Sequence, residues 1–290
     1  MCRFVFLAAA STFLFGSAIA QEPAKDAAKY TLKCALSAGE QLHYEVTHVA
    51  KTKTRIKGAE DVTQSHTISK RHWDVTKHEG DAMTFDHVID GVQMTQKQNE
   101  SDEIQWDSSS GEEAPDMFSV VAGQIGQKLT TITVNPQGQE TDRTDHGAGS
   151  KSKLGMGSLT LALPEQPIAI GETWAVPREV KTKTEEGQVK TIKIRELYTL
   201  EKVRTGVATL SIKSQTLTPI SDESIKAQVV QQLSNGEIRF DIDNGRMISK
   251  QLDWDETVVG FNGPNSLMEY RARMTEKLVD GVTRTAKLEK

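Results

Sequence analysis

Leu42-His43-Tyr44-Glu45-Val46-Thr47-His48-Val49-Ala50 is the stretch whose reading decides the fold. In an extended chain Leu42, Tyr44, Val46, His48 and Ala50 fall on one face, while His43, Glu45, Lys51 and Lys53 fall on the other. A period of two held over this length specifies a long β-strand with one buried side. Upstream, Tyr30, Leu32, Cys34 and Leu36 repeat the period until Ser37-Ala38-Gly39 breaks it, which predicts a shorter strand there.

Downstream, Lys57-Gly58-Ala59-Glu60-Asp61 reads as a turn. Trp73 and Val75 then mark the apolar face of a second long strand, and Met83, Phe85 and Ile89 that of a third, joined tightly by Glu79-Gly80-Asp81. Setting apolar against apolar puts Val46 opposite Trp73, Tyr44 opposite Val75 and Trp73 opposite His87. The segment is a β-meander.

Residues 98–116 are polar and acidic, with a short strand around Ile104 and Trp106. Pro115 opens a predicted helix carrying Met117, Phe118, Val121 and Ile125 on one face and Gly126 near its end. A hairpin follows, with arms Leu129–Val134 and Gln139–Thr144 about the turn Asn135-Pro136-Gln137-Gly138. Strands resume at Ile168 and are expected at 172–184, 188–203 and 207–217. A second helix, Asp222–Leu233, is stopped by Ser234-Asn235-Gly236. The last strands are expected at 237–242, 246–258 and 266–278, with Asp243-Asn244-Gly245 a strong hairpin turn.

These elements predict a mainly β chain built on one large antiparallel sheet, curved or barrel-like, of about 10–12 strands with two short helices. The organisation is 1–20 signal peptide, 21–28 flexible lead, 29–144 first β half with its helix, 145–167 Gly/Ser/Pro-rich crossover, 168–279 second β half with its helix, and 280–290 charged tail. The halves look alike. Gly39-Glu40-Gln41-Leu42 and Gly171-Glu172-Thr173-Trp174 each open a long strand, and each strand reaches a Lys-Thr-Lys-Thr run, at Lys51–Thr54 and Lys181–Thr184. In each half a meander, a helix and a Gly-turn hairpin follow in that order.

The first twenty residues have the three parts of a secretory signal: Arg3 in a short positive start, an apolar run from Phe4 to Phe15, and Ala18-Ile19-Ala20 before the cut. Cleavage between Ala20 and Gln21 is expected, giving an exported chain, periplasmic or extracellular, that is soluble once cut. No later segment approaches the roughly 20 apolar residues of a spanning helix. The formal net charge of −5 becomes −6 when Arg3 leaves with the signal. A mildly acidic surface argues against nucleic acid or anionic membrane as the partner. Cys34 is then the one cysteine left, and its place beside Leu32 and Leu36 reads as a buried, inert thiol.

Motifs of chemistry fail on inspection. Gly147-Ala148-Gly149-Ser150-Lys151-Ser152 lacks the glycine directly before lysine that a phosphate loop requires. Asp241-Ile242-Asp243-Asn244-Gly245 has Leu252 where a calcium loop needs an acid. All seven histidines lie in the first half. In the apolar register His48 and His87 face the core, His43, His66, His72 and His78 face away, and Asp86 and Glu45 lie opposite the inward pair. No three ligands converge in that register, so no metal, cofactor or catalytic group is expected. The candidate site is instead apolar: Tyr44, Trp73, Phe85 and Trp254, lining the concave side of the sheet as a seat for a hydrophobic ligand. The alternative is a structural or protein-interaction component of the cell envelope whose apolar faces close on one another.

Leu163-Pro164-Glu165-Gln166-Pro167-Ile168 with Gly171-Glu172-Thr173-Trp174, and later Gly236-Glu237-Ile238-Arg239-Phe240-Asp241 with Gly245-Arg246-Met247, resembles a family of exported bacterial proteins of unknown function. The resemblance covers most of the mature chain and implies export without implying an activity. At the level of fold, many antiparallel strands with two helices resemble the half-barrels of periplasmic lipoprotein carriers. That second resemblance implies a curved sheet sheltering lipid chains.

Overall fold

The computed structural model describes residues 28–146, 160–184 and 186–279. The expected signal peptide, nearly all of the lead, the charged tail and most of the Gly/Ser-rich crossover lie outside them. In chain order the strands are β1 (Lys29–Tyr30), β2 (Gln41–Ile56), β3 (Ala59–Glu79), β4 (Ala82–Gln98), β5 (Ile104–Asp107), β6 (Lys128–Val134), β7 (Glu140–Asp145), β8 (Ile168–Ala169), β9 (Thr173–Lys183), β10 (Val189–Arg204), β11 (Val207–Thr216), β12 (Asn235–Asp241), β13 (Arg246–Val259) and β14 (Leu267–Val279). Two helices interrupt them, α1 (Ser119–Ala122) and α2 (Glu223–Val229).

Twelve strands form one antiparallel sheet. Its order is β7-β6-β4-β3-β2-β14-β13-β12-β11-β10-β9, with β5 added on β4. The two sequence halves therefore lie side by side, joined where the first strand of one, β2, pairs with the last strand of the other, β14. The sheet is open, with β7 and β9 as its edges. Every residue of β7 is exposed and four of its six are charged. β9 carries Pro177 with Lys181 and Lys183. Charge and proline on edge strands oppose pairing with another chain.

A sheet of this many twisted strands must coil or split. Here it coils. Ile132 and Val134 of β6 share one core with Tyr198 of β10, Leu210 of β11 and Phe240 of β12, although many strands separate them along the sheet. Across that core the Tyr44 hydroxyl donates to the Met247 carbonyl at 3.1 Å. One end of the trough is stoppered by two extended straps. Residues 31–40 cross the two hairpin turns, with Cys34 N–H bonded to Pro136 O (2.7 Å) and Ala35 N–H to Gly245 O (3.0 Å). Residues 160–167 run beside them, with Leu163 N–H on Gln137 O (2.7 Å), and β1 pairs with β8. Both turns have glycine at the crossing for want of space. At Gly245 a Cβ would sit 2.5 Å from Ala35 N, and at Gly138 2.1 Å from Leu161 O; both have φ near +60° to +70°.

The likeness of the halves extends to hydrogen bonds. Gly39 and Gly171 both take positive φ, 82° and 88°. Gly39 N–H donates to Val75 O and Gly171 N–H to Leu200 O, at 2.8 and 2.7 Å. Val75 and Leu200 are each followed by a bulge in the pairing with the next strand.

Three local expectations are corrected. The register of β2 on β3 places Leu42, not Val46, opposite Trp73, and Tyr44 opposite Arg71; Trp73 does face His87. The cause is the turn: Ile56 pairs with Ala59, so only Lys57 and Gly58 lie between the strands, both with positive φ. A two-residue turn of that kind matches strand twist better than the longer one assumed. The predicted strand over Tyr30–Leu36 is a strap: it alternates inward Leu32 and Leu36 with outward neighbours, but only Lys29–Tyr30 pairs. The predicted helix at 115–126 shrinks to a 3₁₀ turn, Asp116–Phe118, and the single turn of α1. Gly123 follows at its C-cap, Gly126 takes φ 73°, and Ile125 instead bridges to Ile89. Phe118 and Val121 are buried as expected, whereas Met117 is exposed.

Candidate functional site

Tyr44, Trp73 and Phe85 are brought together at the strapped end of the trough. Trp73 stacks on Phe85 with centroids 4.6 Å apart and 14° between planes, and Tyr44 tilts against Trp73 at 5.1 Å. Pairing to adjacent strands sets this row: Trp73 lies on β3, with Tyr44 on β2 and Phe85 on β4. Burial pushes the Tyr44 hydroxyl well above its ordinary pKa, so it stays protonated and serves as a donor. The three rings line an apolar cavity of about 20 Å³, closed by Cys34 and Leu36 of one strap, Leu161 of the other, and Phe240 and Met247. That volume holds one water molecule. Cys34 is half-buried as a residue, and burial raises its thiol to about 11. Trp254 lies elsewhere, edge-on to His48 at 6.2 Å, with its indole N–H on Gln231 O at 3.1 Å.

Next to the aromatics the concave face turns polar. Arg71, opposite Tyr44, is buried and donates to Ser69 Oγ at 2.9 Å. Glu276 meets Lys250 Nζ at 2.7 Å, both buried. Glu276 counters the burial that lowers the Arg71 pKa. His87 is buried with Nε2 unpartnered, and burial drops its pKa to about 3; His48 is shifted the same way for the same reason, and its Nε2 is also unpartnered. Both rings are therefore neutral near pH 7. Asp86, behind His87 on β4, is engaged by Lys128 at 2.5 Å and by the Thr131 hydroxyl at 2.6 Å.

The opposite, outer face holds an arrangement that the assumed register concealed. His43 and His72 are direct cross-strand partners, their rings 5.6 Å apart. Asp90 is the extra residue of a bulge in β4, between Ile89 opposite Arg71 and Gly91 opposite Lys70. Its Oδ1 lies 2.7 Å from His72 Nδ1. The ligand atoms of His43, His72 and Asp90 all fall within 4.8 Å of one another. The expectation that no three ligands converge is thus overturned. Two signals pointed here: the Lys57-Gly58 turn, which sets the pairing, and Asp90-Gly91 inside a strand pattern, which marks a bulge.

No protein-family model and no curated protein sequence matches the chain. Among solved structures it is similar to the translocator domain of autotransporter NalP from Neisseria meningitidis, at 7% identity and a TM-score of 0.30 over 83% of this chain and 88% of that one. A likeness at that score carries nothing about fold or function to this chain. No helix among the described residues is long and apolar enough to cross a membrane.

Proposed function

We propose that the chain is an exported, non-catalytic component of the cell envelope, a structural or protein-interaction scaffold whose curved sheet is filled by its own straps. The observation that carries this reading is the interior at the aromatic row. A pocket for a small molecule needs about 300 Å³ or more, whereas Tyr44, Trp73 and Phe85 border about 20 Å³. The two straps occupy the place a ligand would take. Export rests on the tripartite start of the sequence, and the non-catalytic reading on the lack, among the described residues of the concave face, of a serine, threonine or cysteine nucleophile hydrogen-bonded to a base.

A second reading keeps the hydrophobic ligand, which would enter by displacing residues 31–40. It is favoured by the apolar ring faces that Tyr44, Trp73 and Phe85 set side by side and by how few main-chain bonds fix that strap to the turns below it. A fluorescent fatty acyl probe titrated into the mature protein separates the two. The scaffold reading expects no saturable rise in fluorescence. Saturable binding of one probe per chain, weakened by Trp73→Ala, would replace it with the ligand reading.

A further inference from the structure

We propose that His43, His72 and Asp90 form a binding site for one divalent transition-metal ion of the zinc class on the outer face of the sheet. Two imidazoles and one carboxylate are a ligand set that suits Zn²⁺, with Cu²⁺ and Ni²⁺ as competitors, and does not suit Mg²⁺ or Ca²⁺. The donors sit on β2, β3 and β4, in the interior of the sheet's strand order; the backbone at His43 and His72 is fixed by pairing on both sides, and Asp90 is presented by the bulge of β4.

Bond lengths of about 2.0–2.2 Å to nitrogen and oxygen put the ligand atoms of a tetrahedral ion roughly 3.4 Å apart. The present spacings bracket that value: 2.7 Å between His72 and Asp90, and no more than 4.8 Å within the set. Side-chain torsions alone can close the difference. The ion would replace the His72–Asp90 hydrogen bond and draw in His43. Three protein ligands then leave a fourth position for water or a partner's side chain.

A surface histidine bonded to an acid accounts for His72 and Asp90 by themselves. It does not account for His43 placed directly opposite His72 with the two rings 5.6 Å apart. Nor does it account for the bulge that turns Asp90 toward them. Bulges re-aim side chains, and here the re-aimed group is the third ligand.

The test uses the mature chain without an affinity tag, stripped by a chelator and titrated with Zn²⁺ in a calorimeter. One ion per chain is expected. His43→Ala and His72→Ala should each weaken it by more than the roughly 10–100-fold that loss of an outer-shell partner costs. His66→Ala and His78→Ala, at exposed positions on the same half, should leave it unchanged. Co²⁺ in place of Zn²⁺ should give visible ligand-field absorption in the parent and none in His72→Ala. Should the alanine variants misfold, Zn²⁺ protection of two histidines from diethylpyrocarbonate in the unaltered chain gives the same answer. Absence of stoichiometric uptake overturns the proposal, as does uptake equally strong in His43→Ala and His72→Ala, or modification of both histidines undiminished by Zn²⁺.

Discussion

Glu40 and Glu172 occupy the same position in the two halves of the sheet. Each folds its Oε2 back on a main-chain N–H three residues earlier, Ser37 at 3.0 Å and Ala169 at 2.9 Å. Each offers its carbonyl to a residue of the next long strand, Val75 at 2.9 Å and Leu200 at 3.1 Å. Their surroundings differ: Glu40 is buried and paired with Arg246, whereas Glu172 is exposed.

That difference predicts unequal costs for the same substitution. Glu172→Ala loses one partly buried hydrogen bond, worth about 1 kcal/mol. Glu40→Ala also leaves Arg246 uncompensated in a mostly buried place, for a loss of about 3 kcal/mol. Urea unfolding of the two variants measures both. Equal losses would mean that the Arg246 pair adds nothing to the turn.

The interior ions are expected to act as a set. Glu276→Ala removes the carboxylate that faces Lys250 and offsets the charge of Arg71, and should cost about 3–5 kcal/mol. Adding Lys250→Met to Glu276→Ala should restore part of that loss, because the buried ammonium that faced the lost carboxylate leaves with it. A double variant no more stable than the single one would show that Lys250 finds other compensation.

Stability should fall in mild acid, with His87 as a principal cause. The folded-state pKa is about 3, below the usual histidine value near 6.5 in an unfolded chain. Between those limits the unfolded state binds the extra proton, so stability is full above about pH 6.5 and is lost as pH falls toward 3. His48 adds to the same slope. His87→Gln should flatten the curve of unfolding free energy against pH across that window, whatever its effect on stability at pH 7. An unchanged slope would assign the acid sensitivity to other groups.

Much of the fold was legible because the period of two is a direct record of one-sided burial. β10, β11, β13 and β14 begin and end within one residue of the expected bounds, and Asp222, where the second helix was expected to begin, is the N-cap of α2, accepting from Ser224 N at 2.9 Å. Register was less legible. Apolar matching tolerates any even shift, and only the length of the Lys57-Gly58 turn chooses among them. The same ambiguity hid the pairing of His43 with His72. The aromatic row was legible as three inward rings on neighbouring strands. What fills the space above it was not, since Leu32 and Leu36 alternate as a strand would while crossing the trough as a strap. Trp254 was placed with them by its inward phase alone, which carries no information on position along the trough.

The most direct measurement on the scaffold reading is mass spectrometry of organic extracts from protein purified out of its native host. A trough filled by its own straps predicts no lipid at a stoichiometric level. One hydrophobic molecule per chain, recovered from the unaltered protein and lost with Trp73→Ala, would contradict it.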